Sequence, residues 1–180
     1  MTLALRSRGA AEARYRDIRL AALKTAEDIA SAQLAPRRLH LDIIAAVALE
    51  AYRNQWEGHP RRRYPWPWAE IVEHARMNEP ERFETAVWSG HTLCGLAIGG
   101  TRKQFCRVDY LEGSPVPDHP LRGSVTVIVL GAVVAYAAAL GRAEVRLVNP
   151  LPAVLPHYEA LGFTLASPKG EAPYCRWKVR

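Results

Sequence analysis

Apolar positions recur every three or four residues in the first part of the chain and alternate in the middle. From Arg8 to Ala32, the stripe Tyr15, Ile18, Ala22, Ala26 and Ile29 stands opposite Asp17, Lys24, Glu27 and Asp28, which predicts an amphipathic helix. Leu39 to Asn54 repeats the spacing through Leu41, Ile44, Val47, Ala48, Ala51 and Tyr52 and predicts a second helix, with no strong strand before Arg38. Three prolines between Glu57 and Trp68 forbid regular structure there. Ala69 to Met77 reads as a short helix. Phe83 to Gly99 alternates, turns at Ser89-Gly90 and returns, which is a hairpin.

The second half is built around a β-α-β unit. A strand over Lys103 to Glu112 leads through SPVPDHPLRGS into VTVIVLGAVVAYAAALG, then into a strand at Glu144 to Val148. The β-branched start of the central segment suits a strand locally, but the alanine-rich half that follows decides for helix. Pro156 fits the first turn of a further helix, Gly162 its C-terminal cap, and Ala172 to Val179 a last strand. A helix opened by such a loop presents its positive end to anions, and Arg122, Gly123 and Ser124 stand at that place.

At 180 residues, 49% of them hydrophobic, the chain is long enough for one well-cored domain and too apolar for disorder. Its net charge of +6 is spread along the chain and suits any polyanion, whether an acyl-CoA, a nucleic acid or an acidic protein. Gly123 to Gly141 carries no charge, and the α/β pattern continuing after it makes a helix buried against a sheet the better reading than a membrane span. Cys94, Cys106 and Cys175 form no paired framework, which points to buried thiols in a reducing, cytoplasmic compartment. The six histidines have no metal-ligand spacing, so no metal is expected.

Ala137 to Gly141 as A-x-x-x-G, the strand Val145 to Val148, and HYEALGF with Tyr158, Glu159, Leu161, Gly162 and Phe163 together resemble the GNAT superfamily of acyl-CoA-dependent N-acyltransferases. The resemblance runs from about Phe83 to Arg180. It implies an α/β GNAT-like fold over residues 39–180, with a mixed, mostly antiparallel central sheet flanked by helices, and an N-terminal helical extension over residues 1–38. It implies acetyl-CoA as co-substrate and acyl transfer to an amine of a small molecule or a protein. Tyr158 becomes the general acid for the departing thiolate. His119, Arg122, Gly123 and Ser124 become the pyrophosphate loop, and the main chain of Leu111 and Glu112 lies beside the pantetheine arm. Glu112 is a candidate base and His119 a second one; Asp109 is out of phase with Glu112 in a regular strand and is set aside. Asn149 is placed to bond CoA or the acceptor.

The sequence departs from the family pattern in two ways. The loop PLRGSV holds a single glycine, and Asn149 precedes Tyr158 by nine residues, with Pro150, Pro152 and Pro156 between. A GNAT-like binding module without catalysis is therefore an alternative reading. The segment Arg61 to Trp68 lies outside the resemblance. Its arginines among Tyr64, Trp66 and Trp68 suit a tryptophan-anchored loop, an acceptor rim through Arg62, Tyr64 and Trp66, or contact with a nucleic-acid-linked amine. The N-terminal helix packs on its own domain or meets a partner, a second copy of the chain included.

Overall fold

The computed structural model describes residues 3–33 and 38–179, with side chains from Arg8 onward. In chain order the elements are α1 (Leu3–Gln33), β1 (Leu39–Asp42), α2 (Ala46–Gln55), α3 (Trp68–Asn78), β2 (Phe83–Ser89), β3 (Thr92–Gly99), β4 (Phe105–Val108), β5 (Tyr110–Gly113), α4 (Val125–Ala139), β6 (Glu144–Val148), a 3-10 turn (Pro152–Val154), α5 (Leu155–Ala160), β7 (Thr164–Ala166) and β8 (Tyr174–Lys178). The expected division of the chain at residue 38 borders the undescribed residues 34–37.

Strands β1, β2, β3 and β5 form one four-stranded antiparallel sheet in that order, and β4, β6, β8 and β7 form a second. In the second sheet β4 and β6 run parallel and the other pairs antiparallel. The two sheets share one run of chain: β4 pairs with β6, the backbone breaks at Asp109, and β5 pairs with β3. The Asp109 N–H still reaches the Ile98 carbonyl at 3.0 Å, and the Arg107 N–H reaches Gly100 at 2.8 Å. Gly99 permits this crossing, because a Cβ there would collide with the Arg107 carbonyl. Beyond Val108 and Leu147 the ladder between β4 and β6 ends, and the two chain segments leave one another.

The second predicted helix begins later than its hydrophobic spacing suggested. Leu39 to Asp42 form an edge strand on β2, pairing Leu39 with Ser89 and Asp42 with Ala86. Within LHLD the two leucines are buried and His40 is exposed, so period two fits these four residues as well as the helical stripe does. Val47, expected on the apolar face, is instead 60% exposed. The outer edge of β1 is closed by α1: Glu27 Oε2 accepts the Leu41 N–H at 2.8 Å and lies 2.9 Å from His40 Nδ1.

The apolar residues divide into two clusters, one on each side of the sheet. Helices α1 and α4 cover one face through Ala22, Leu23 and Ala26 on α1 and Val129, Val133 and Tyr136 on α4. Helices α2 and α3 cover the other through Ala48, Tyr52, Trp68 and Val72, with Trp56 in the loop behind them. The inward stripe of α1 is shifted from the predicted one; Ile29 is solvent-exposed, and Arg19 is fully buried. Arg19 Nε donates to the Arg82 carbonyl at 2.9 Å, Arg82 grips both oxygens of Glu12 at 2.8 and 2.9 Å, and Arg82 Nη2 reaches the buried Glu84 at 2.8 Å. This ionic cluster fastens α1 to the start of β2.

Helix α4 holds 15 residues, about 22 Å at 1.5 Å per residue, short of a bilayer core. It packs beside α1 on the same face of the sheet. Among the described residues no helix is long and apolar enough to cross a membrane.

Candidate functional site

The parting of β5 from the end of β6 opens a cavity of about 800 Å³. One wall is strand backbone and side chain from Arg107 to Leu111, the other is Leu147 to Leu151 with Val154 and Tyr158. Thr126 reaches it from the first turn of α4, and Trp66, Glu70, Ile71 and His74 close it from the α3 side. Glu70, Ile71, His74 and Ala75 lie at offsets of one and four, so they share one helix face.

Tyr158 lies on α5, packed beside Phe163 with ring centres 6.2 Å apart. Burial, helped by the nearby Cys175, raises its phenol pKa above the ordinary 10.0. The phenol therefore holds its proton at neutral pH. Asn149 lines the same wall at the end of β6, with φ of 49° and its N–H donating to Pro173 at 2.9 Å. That left-handed backbone is tolerated by asparagine better than by most residues.

Asp109 sits at the break between β4 and β5 and lines the cavity. Its Oδ2 accepts from Arg107 Nε at 2.9 Å. Burial raises its pKa above 3.8, against the pull of Arg107. Glu112 is turned away from the cavity. Arg62 holds its two oxygens at 2.6 and 2.9 Å, and Trp68 Nε1 donates to it at 2.6 Å. Leu111, between them, lines the cavity.

The expected acceptor residues separate in the same way. Arg62 is buried, donating also to the Tyr52 hydroxyl at 3.0 Å and the Trp66 carbonyl at 2.7 Å, so it organises the loop and does not line the cavity. Trp66 does line it. Tyr64 stacks on Trp66 at 6.0 Å and 22°, and Tyr110 meets the Trp66 ring edge-on at 5.5 Å.

The expected pyrophosphate loop forms a turn before α4, with Gly123 at φ 79° and the Ser124 N–H on Leu121 at 3.0 Å. Arg122 is exposed, its Nη1 donating to Pro117 at 2.9 Å. His119 is buried with Nδ1 unpartnered, and burial and Arg122 both lower its pKa. None of these four residues lines the cavity, which meets α4 at Thr126. Sequence reasoning passed over Thr126, Glu70 and His74; their only signal is their place on the first turn of α4 and on one face of α3. Among the described residues no cluster of three metal-ligating side chains is present.

No protein-family model matches the chain, and no curated protein matches it in sequence. Its fold does match solved structures. The ribosomal-protein-S18-alanine N-acetyltransferase of Escherichia coli superposes with a TM-score of 0.57 at 15% identity, over 78% of this chain and 94% of that one. A protein of Desulfovibrio desulfuricans described as a GNAT-family acetyltransferase gives 0.58 at 14% identity, over 79% and 99%. PaiA N-acetyltransferase of Thermoplasma acidophilum, solved with coenzyme A, gives 0.50 at 16% identity, over 78% and 98%. At such identities the likeness establishes the fold: an α/β sheet flanked by helices, with a long N-terminal helix.

Proposed function

We propose that this chain, which has the fold of the GNAT N-acetyltransferases, transfers an acetyl group from acetyl-CoA to an amine. The observation that supports this reading most is the cavity itself: it opens where β5 and β6 part, and it brings Tyr158, Asp109, Asn149 and the Leu111 backbone to one place. A thioester substrate lying along β5 meets main-chain groups on one side and a protonated phenol on the other. The diphosphate of such a substrate suits the start of α4, where helix N–H groups, Gly123 and Arg122 stand together.

In this reading Asp109 accepts one proton from the amine nitrogen as its C–N bond to the acyl carbon forms. Tyr158 gives one proton to sulfur as the C–S bond breaks, and the phenolate and the carboxylic acid return to their starting forms through solvent. Asp109 takes the base role for which Glu112 was the first candidate, because Glu112 is already committed to Arg62 and Trp68. The chemistry is direct transfer, with the rate gained from positioning and from two proton movements.

Titration of acetyl-CoA into the purified protein by calorimetry tests the reading. Micromolar binding that Arg122→Glu weakens at least tenfold is expected, with thiol release when an amine is added. Absence of heat from the wild-type protein would overturn it. Binding without turnover of any amine would favour the non-catalytic alternative.

A further inference from the structure

The cavity has two unlike ends, although the chain as a whole carries a charge of +6. Around the α3 end, the lining residues Glu70, Glu79 and Asp109 bring three carboxylates against the guanidinium of Arg107, and Arg102 reaches Glu79 at 3.7 Å from outside the lining. Arg107 is shared between two of them, with Nε 2.9 Å from Asp109 and Nη2 3.4 Å from Glu79. Glu70 has neither a hydrogen bond nor an ion pair among the described residues, though it lies on the cavity wall. Beside it stands Trp66, a plate fixed by Tyr64 on its face, Tyr110 on its edge and Arg62 at its carbonyl. An aromatic face beside an unmatched, solvent-exposed carboxylate is what a cation meets favourably.

We infer that the acceptor is a dicationic amine, whose reacting nitrogen lies toward Asp109 while a second positive group is held between Glu70 and the Trp66 ring. The inference rests on the acetyl-transfer reading and specifies its substrate class. The site itself stands on the cavity and the parted strands; the carboxylates decide only what fills its acceptor end. The same field works on the other substrate. A polyanionic thioester is repelled from the α3 end and is drawn toward the positive terminus of α4, which the cavity meets at Thr126 and beyond which Arg122 stands exposed.

Three amines of matched length separate the possibilities: 1,4-diaminobutane, n-butylamine and 4-aminobutanoate, each assayed by thiol release with acetyl-CoA. The expected kcat/KM is at least tenfold higher for the diamine than for butylamine, and lowest for aminobutanoate. Glu70→Lys is expected to remove the diamine's advantage and raise aminobutanoate above it, while the acetyl-CoA Kd, measured in the same preparations, stays within threefold. Butylamine or aminobutanoate used as well as the diamine by the wild-type protein would overturn the substrate class alone. So would an unchanged order in Glu70→Lys, or acetyl-CoA binding with no turnover of the three. Loss of acetyl-CoA binding in the wild-type protein would overturn the acetyl-transfer reading and this inference together.

Discussion

A phenol that burial keeps protonated suits the donor role, and a carboxylate that burial makes more basic suits the acceptor role; Tyr158 and Asp109 answer to these descriptions from opposite walls of one cavity. Tyr158→Phe is expected to lower kcat about a hundredfold, within the usual range for positioned proton transfer, with acetyl-CoA affinity retained. The pH profile follows from the directions of the two shifts. Tyr158 must be protonated and its pKa is raised, so the alkaline limb of kcat/KM falls only above 10.0 unless the amine intervenes. Asp109 must be ionised and its pKa is also raised, so the acid limb falls at a pH above the ordinary 3.8. Asp109→Asn is expected to lower the rate and to flatten that acid limb, as pH-rate profiles of the two proteins would record. The place of Tyr158 on the cavity wall was legible in HYEALGF, since a local motif carries it. Asp109 was not, because strict alternation sets it out of phase with Glu112. The break at Asp109 ends that alternation, and only the pairing of β4 with β6 and of β5 with β3 reveals the break.

Elements show the same division between local and distant causes. β6 was readable to the residue, because alternation, length and a following proline all agree over Glu144 to Val148. β1 was absorbed into a helix, because two leucines two apart within four residues satisfy either period and only the partner strand β2 decides. The proline-rich loop after α2 was recognised as irregular, but its anchor was not: Arg62 reaches Glu112, fifty residues away, which no spacing rule can foresee. Under the proposed function, Arg62 acts on the acceptor through Trp66, whose carbonyl it holds. Arg62→Ala leaves Glu112 nearly buried without its partner and is expected to cost about 3 kcal/mol in a denaturant melt. Where the variant still folds, acceptor KM is expected to rise while the acetyl-CoA Kd does not. Equal loss of both would mean that the loop supports the whole cavity rather than its acceptor wall.

At the scale of the molecule, α1 is bound to the domain by charge as well as by apolar contact. Glu84 is fully buried, and Arg82 and Arg19 lie against it. Arg82→Met removes the residue that joins Glu12 to Glu84, leaving a buried carboxylate short of a partner, and is expected to destabilise by about 3–5 kcal/mol. That is a large share of the roughly 5–15 kcal/mol that holds a typical domain. Chemical denaturation of the variant, with and without the paired change Glu84→Gln, would show partial recovery in the double variant if the unpaired charge is the cause.

Glu27 gives α1 a further consequence. By accepting the Leu41 N–H it occupies one of the outward-facing donors of the edge strand β1. Burial opposes its ionisation, but Leu41, Lys24 and His40 outweigh that and hold its pKa below 4.5. A carboxylate lowered in this way stabilises above its unfolded pKa and loses that contribution as pH falls through the folded value. In acid, then, β1 is expected to become an open template onto which another chain's strand can add, and turbidity should rise before the core unfolds. Glu27→Ala is expected to self-associate similarly at neutral pH, as light scattering would record.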